Sequence, residues 1–223
     1  HGKCTFCPGG PKSIFGDVPQ SYTGNEPSTM RAIRANYDPY LIVFNRLEQY
    51  MLLNQVPEKT EVIIQGGTFC SFPKDYQEEV IKYTFKAMND FSEMFFEKNR
   101  LDFEKFKEFF ELPGTIKNKE RTYRIQEKLL KLKGKADLEK EQVRNETAKI
   151  RSTALVIETK PDWCKEEEIN QILKLGTTRV ELGVQTLKED VLKLTNRGHI
   201  LQDTKEAIQL LKDSFLKTTF HMM

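Results

Sequence analysis

The sequence predicts an α/β fold, a partial (β/α) TIM-like barrel with a charged helical insertion, and three observations carry that expectation. Short β-branched runs recur at Glu61 to Gln65, Ala154 to Glu158, Arg179 to Val184 and Lys217 to His221, the length of buried strands. Helical stretches with one apolar face separate the later runs, which is the pattern of a parallel sheet. Between the first run and the second, Phe91 to Lys149 replaces this alternation with mostly charged, helix-favouring residues. A closed barrel needs more strands than these four.

Taken in order, the first 28 residues hold five glycines and four prolines and read as a long functional loop. Asp38 followed by Pro39 is an N-cap and first-turn signature. Tyr40, Phe44, Leu47 and Met51 then recur at helical spacing, to an end near Asn54. The strand at Glu61 closes on Gly66-Gly67, and a helix follows with Tyr76, Val80, Phe85 and Met88 facing inward. Lys165 to Leu175 reads as a helix ended by Gly176, and Thr204 to Lys212 as one capped by Asp203. Within the insertion, Pro113-Gly114 is a break, and Lys117 to Lys135 holds eight Lys or Arg against two Glu. That stretch is either a solvated helical face or a polyanion contact.

Composition bounds the function classes. Among 223 residues, 35 Lys and Arg stand against 33 Asp and Glu, so any nucleic-acid surface must come from local segregation of charge. No apolar run approaches the roughly 20 residues that cross a bilayer, which predicts no membrane partner. Four cysteines, two of them in one motif, point to a reducing, cytoplasmic setting. The chain opens at His1 without an initiator methionine and reads as part of something longer.

Cys4-x-x-Cys7 lies in Lys3-Cys4-Thr5-Phe6-Cys7-Pro8-Gly9-Gly10. Two thiolates at this spacing can share a metal or cluster, and the glycines let backbone amides approach the sulfurs. On residues alone, zinc, a redox dithiol and chance stay open. Cys70 and Cys164 stand far apart in sequence and read as small buried hydrophobes.

Longer strings narrow the choice. Cys7-Pro-Gly-Gly-Pro11, Gln20-Ser-Tyr-Thr-Gly24, Glu26-Pro-Ser-Thr-Met-Arg-Ala-Ile-Arg34, Gly66-Gly-Thr-Phe69, Ile157-Glu-Thr-Lys-Pro-Asp162, Glu181-Leu-Gly-Val-Gln185, Asn196-Arg-Gly-His199 and His221-Met-Met223 occur in this order. Together they resemble the catalytic subunit of Elongator in its compact archaeal or bacterial form, a radical S-adenosylmethionine (SAM) enzyme family. The resemblance implies a radical SAM domain over residues 1–223, with the insertion at about 91–149, a third cluster cysteine upstream of His1, and a C-terminal acetyltransferase domain absent from this chain. It implies a [4Fe-4S] cluster on Cys4 and Cys7, and SAM held by Gly66, Gly67, Thr68, Glu158 and Gln185. Lys59 is implied as an acetyl-CoA contact. Arg31 and Arg34 lie one helical turn apart with Tyr22 upstream, a spacing that fits tRNA, gripping a phosphate and stacking a base, or else local salt bridges. The implied reaction uses a 5'-deoxyadenosyl radical and acetyl-CoA to carboxymethylate C5 of the wobble uridine (U34) of tRNA. A homodimer is left open. The alternatives are another radical SAM enzyme and a catalytically silent tRNA-binding module.

Overall fold

The computed structural model describes residues 4–115 and 117–223. In chain order they form β1 (Gly10–Ser13), β2 (Gly16–Val18), α1 (Pro27–Arg34), α2 (Pro39–Leu52), β3 (Lys59–Ile64), α3 (Lys74–Phe95), β4 (Phe96–Glu97), β5 (Arg100–Leu101) and α4 (Phe103–Phe109). There follow α5 (Lys119–Lys133), α6 (Leu138–Thr147), β6 (Arg151–Thr159), α7 (Glu166–Lys174), β7 (Arg179–Gln185), α8 (Glu189–Leu194), α9 (Leu201–Asp213) and β8 (Lys217–Met222). Short 3-10 turns sit at Phe69–Ser71 and Pro161–Trp163. Strands β3, β6, β7 and β8 make one sheet in that order, with β6 parallel to β7 and β7 parallel to β8. This is the predicted α/β architecture with a parallel sheet.

The described residues divide into two compact units. The first takes residues up to 30, 61–77 and 154–223. Its core is Leu155, Val156 and Ile157 on β6, Val180, Leu182 and Val184 on β7, and the apolar stripes Ile169 and Ile172 of α7 and Ala207 and Leu211 of α9, all buried. Consecutive buried residues on β6 follow from a strand covered on both faces. Gly176, at φ 85°, lets the chain leave α7.

Four expectations are corrected in this unit. The opening loop is not free of regular structure: β1 and β2 pair as an antiparallel hairpin and α1 starts at Pro27. Their shortness gave no periodicity to read. β3 alternates exposed and half-buried residues, as an edge strand does, where a fully buried strand was expected. Tyr76 is exposed, its ring beside Phe72 at 5.2 Å between centroids. Asp203 sits inside α9 and accepts a bond from the Ile200 N–H at 3.0 Å, so it caps from the third helical position.

The second unit takes 31–60 and 78–153. Asp38 caps α2 as predicted, its carboxylate accepting from the Leu41 N–H, and Tyr40, Phe44, Leu47 and Met51 are all buried. The insertion is more than a solvated face, because its phenylalanines make a core. Phe91 meets Phe44 at 5.5 Å and Phe95 at 4.8 Å between centroids, and Phe95 meets Phe106 edge-on at 5.6 Å. Burying each such ring stabilises by about 1.5–3 kcal/mol. Residue 91 lies within α3, so the helix runs through the expected start of the insertion. Lys98 and Asn99, both at positive φ, form the two-residue turn between β4 and β5.

Candidate functional site

In the first unit the segment carrying Cys4 and Cys7 is held at several points. The Thr5 N–H donates to the Thr195 carbonyl at 2.9 Å, and the Gly9 N–H to the Gln20 carbonyl at 3.0 Å. Gly9 packs so closely that a Cβ there would collide with the Tyr22 and Pro19 carbonyl oxygens, so no other residue fits. Beyond it, Glu26 accepts from the Thr23 N–H and hydroxyl and from the Gly24 N–H. These bonds, led by the Thr23 main chain, pull its pKa from 4.5 to about 2. A folded pKa below the unfolded one contributes stability that is full above about 4.5 and is lost as pH falls toward about 2. Glu26→Gln should therefore flatten the acid limb of a pH-stability profile over that window, and an unaltered limb would refute the assignment.

Cys4 and Cys7 are joined as a disulfide with Cα atoms 5.4 Å apart, so the reduced pair is what offers two thiolates. Both line a cavity with Gly67 and Thr68, which brings together four of the residues predicted for the cluster and SAM. Gly66 and Gly67 adopt φ 117° and 71° at the end of β3, conformations that glycine alone takes without strain. Thr68 is buried and its carbonyl accepts the Ser71 hydroxyl at 2.7 Å. The cavity wall is completed by Gln20, Ser21, Lys160 and Arg197, with no carboxylate among the described lining residues. Adjacent glycine backbone and basic lining residues would suit an anionic iron–sulfur cluster only once the cysteine pair is reduced.

Glu158 is the penultimate residue of β6 and Gln185 the last of β7. Burial raises the Glu158 pKa, Glu181 acts in the same direction, and His221, the Gly66 main chain and Gln65 oppose the rise. Glu181 is its register partner on β7 and bonds His221 Nε2 at 3.1 Å. Tyr22, expected to stack a base, lies among these acids: burial first, then Glu158, pushes its pKa up to about 12. Gln185 holds φ 68°, a left-handed conformation uncommon outside glycine. Strain of this kind collects at functional positions.

Arg31, Arg34 and Lys59 fall in the second unit. Lys59 is exposed at the start of β3, while Arg31 is half-buried and Arg34 exposed on α1. Burial, and then the nearby Arg46 and Arg34, depress the Arg31 pKa, which marks a cluster of like charge suited to a polyanion. The basic stretch divides. Arg121 is buried against Glu48 at 2.7 Å, Arg124 and Lys128 pair with Glu111, and Lys133 pairs with Asp38. Lys117, Lys119, Lys131 and Lys135 are exposed.

Sequence reading passed over Lys160, Arg197, Glu181 and His221 as site residues. Their positions inside quoted strings were the available signal. Cys70 and Cys164 are buried, and burial pushes the Cys70 thiol up to about 11 and the Cys164 thiol higher, as expected for inert cysteines.

A parallel sheet with helices between its strands defines an α/β protein, with a glycine turn and a cysteine pair meeting at one cavity. The sequence profile of the Radical SAM superfamily matches residues 1–223, and the chain belongs to that superfamily. It is 45% identical over all 223 residues to a tRNA uridine(34) acetyltransferase of Methanocaldococcus infernus, covering 34% of that protein. It is 37% identical over 220 residues, 99% of the chain, to Elongator complex protein 3 of Saccharomyces cerevisiae, covering 32% of it. A solved structure of archaeal Methanocaldococcus infernus Elp3 with an N-terminal deletion matches 86% of this chain and 35% of that one, with TM-score 0.65 and 41% identity. The chain thus spans about a third of the length of these relatives. Among the described residues no helix is long and apolar enough to cross a membrane.

Proposed function

We propose that the protein containing this chain carboxymethylates C5 of the wobble uridine of tRNA, with acetyl-CoA as the carbon source. The observation that carries this reading is the meeting of Cys4, Cys7, Gly67 and Thr68 on one cavity, in a chain similar along its whole length to a protein named for tRNA uridine(34). Residues 1–223 then form a radical SAM domain, and a third cysteine ligand and an acetyltransferase domain belong to the complete protein. Reduced Cys4 and Cys7 would hold a [4Fe-4S] cluster, and the chemistry that cluster and SAM supply when bound is one-electron cleavage of SAM.

The chain's own residues bind and orient. Gly66 and Gly67 present main chain free of side-chain bulk to the cofactor's polar end. Glu158 and Gln185 stand at strand ends to take hydroxyl and amine donors. Arg31 and Arg34 fit phosphates, which position nucleic acid without reading its sequence. Lys59 suits an acetyl-CoA phosphate.

The test is anaerobic incubation of the complete, reconstituted protein with SAM, acetyl-CoA and tRNA, followed by nucleoside mass spectrometry. Carboxymethylated uridine at position 34 is expected, with a yield lowered at least tenfold in the double variant Arg31→Ala, Arg34→Ala. Production of 5'-deoxyadenosine with no tRNA product would instead favour another radical SAM reaction.

A further inference from the structure

Around α5 in the second unit, four cations each have a carboxylate: Arg121 has Glu48, Arg124 and Lys128 share Glu111, and Lys133 has Asp38. Arg31 and Arg34 have none among the described residues. The charges felt most by Arg31 are those of Arg46 and Arg34, which repel it. Arg46 is itself engaged elsewhere, donating to Gln49 Oε1 at 3.1 Å and to the Tyr50 hydroxyl at 3.0 Å. A half-buried arginine beside its own kind of charge lacks an anion.

Arg31 and Arg34 also line a cavity that lies wholly in the second unit, with α2 on one side and α5 on the other. Leu41, Ile125 and Leu129 give it an apolar, buried lining. The one carboxylate among the described lining residues, Glu48, is taken by Arg121. Asn45 and Gln126 add amides, and the Gln126 Nε2 donates to the Arg34 carbonyl at 2.8 Å, which ties the end of α1 to α5. These surfaces select a ligand with two parts. A bare phosphate would set its charge against an apolar wall, which is costly, and an apolar group would leave the arginines unanswered. A nucleotide carries both parts: a phosphate for guanidinium forks, and a flat base whose face suits aliphatic side chains and whose edge suits amides.

We infer that this cavity receives one unstacked base of the tRNA anticodon loop, at a position other than 34, while Arg31 and Arg34 hold the phosphates beside it. The inference rests on the reading of Arg31 and Arg34 as tRNA contacts and adds a base to what they hold. Single-stranded loops are where RNA bases can leave the stack and be read by a protein. Uridine 34 is the base that reacts, so a second base held on the protein fixes the register of the loop around it.

The experiment is a fluorescence-anisotropy titration of the complete protein with an anticodon stem-loop RNA and with a series of the same RNA lacking one loop base at a time. In the wild type, removal of one base other than that at 34 should weaken binding at least tenfold although every phosphate remains. Thr122→Trp, which puts bulk into the cavity from α5, should weaken binding of the intact RNA to a similar degree. It should also erase the difference between the intact and that abasic RNA and leave the salt dependence unchanged. Arg31→Ala and Arg34→Ala should instead each reduce the slope of log affinity against log salt by about 0.7. Should Thr122→Trp fail to fold, the abasic series on the wild type still decides. Equal binding of every abasic RNA would overturn the inference. So would displacement of the RNA by free coenzyme A from the wild type but not from Thr122→Trp, which would make the coenzyme's adenosine phosphate the occupant. An unchanged salt slope in both arginine variants would instead sink the reading of Arg31 and Arg34, and the inference with it.

Discussion

Cys4→Ala or Cys7→Ala in the complete protein should abolish SAM cleavage, while Cys70→Ala and Cys164→Ala leave it largely intact. The first pair lines the cavity beside Gly67 and Thr68, and loss of either sulfur removes a thiolate that no described lining residue can replace. The second pair is buried with raised thiol pKa values, led by desolvation, and lines no part of that cavity. Removing those sulfurs should cost packing, read as a lower melting temperature, without removing a ligand. Anaerobic 5'-deoxyadenosine production, measured beside circular dichroism, checks both halves. Loss of product in Cys164→Ala with the fold retained would overturn the division.

Arg121→Ala should be among the most destabilising single changes in the second unit, by about 3–5 kcal/mol. The guanidinium donates from Nη2 to Glu48 at 2.7 Å and from Nε to the Phe110 carbonyl at 2.8 Å, with both ionic side chains nearly buried. Truncation leaves the Glu48 carboxylate buried without its counter-ion and removes the donor that ties α5 to the end of α4. Lys131→Ala and Lys135→Ala, on exposed residues of the same basic stretch, should change stability by less than about 0.5 kcal/mol. Urea denaturation of the three variants separates the two kinds of basic residue, and a small effect of Arg121→Ala would contradict the buried pair.

The contrast shows what a linear reading can and cannot deliver. The strands at Ala154 to Glu158 and Arg179 to Val184 were legible because short, largely apolar runs between helical stretches have few other uses, and Asp38-Pro39 because capping is a local act. The cysteine and glycine parts of the candidate site can be proposed from sequence because each is written in adjacent residues, and the structure brings Cys4, Cys7, Gly67 and Thr68 to one cavity. Arg121 was not, since its partner Glu48 lies 73 residues away and nothing local separates a buried arginine from its exposed neighbours. Lys160 and Arg197 stayed hidden for the same reason: the cavity they share with Cys4 and Cys7 exists only once β6 and the turn after α8 have been placed. Tyr76 was misplaced because the helical stripe was extended to the first turn, where the ring stays exposed beside Phe72.

The chain's single tryptophan, Trp163, lies in the 3-10 turn Pro161–Trp163 of the first unit, whereas the phenylalanine cluster belongs to the second. Indole fluorescence therefore views one unit only, and helix ellipticity draws heavily on the other through α2, α5 and α6. If the two units melt as one body, the two signals must superimpose; if each has its own cooperativity, the optical curves separate, and a midpoint taken from fluorescence alone describes the neighbourhood of Lys160 and Cys164 and leaves the phenylalanine core unobserved.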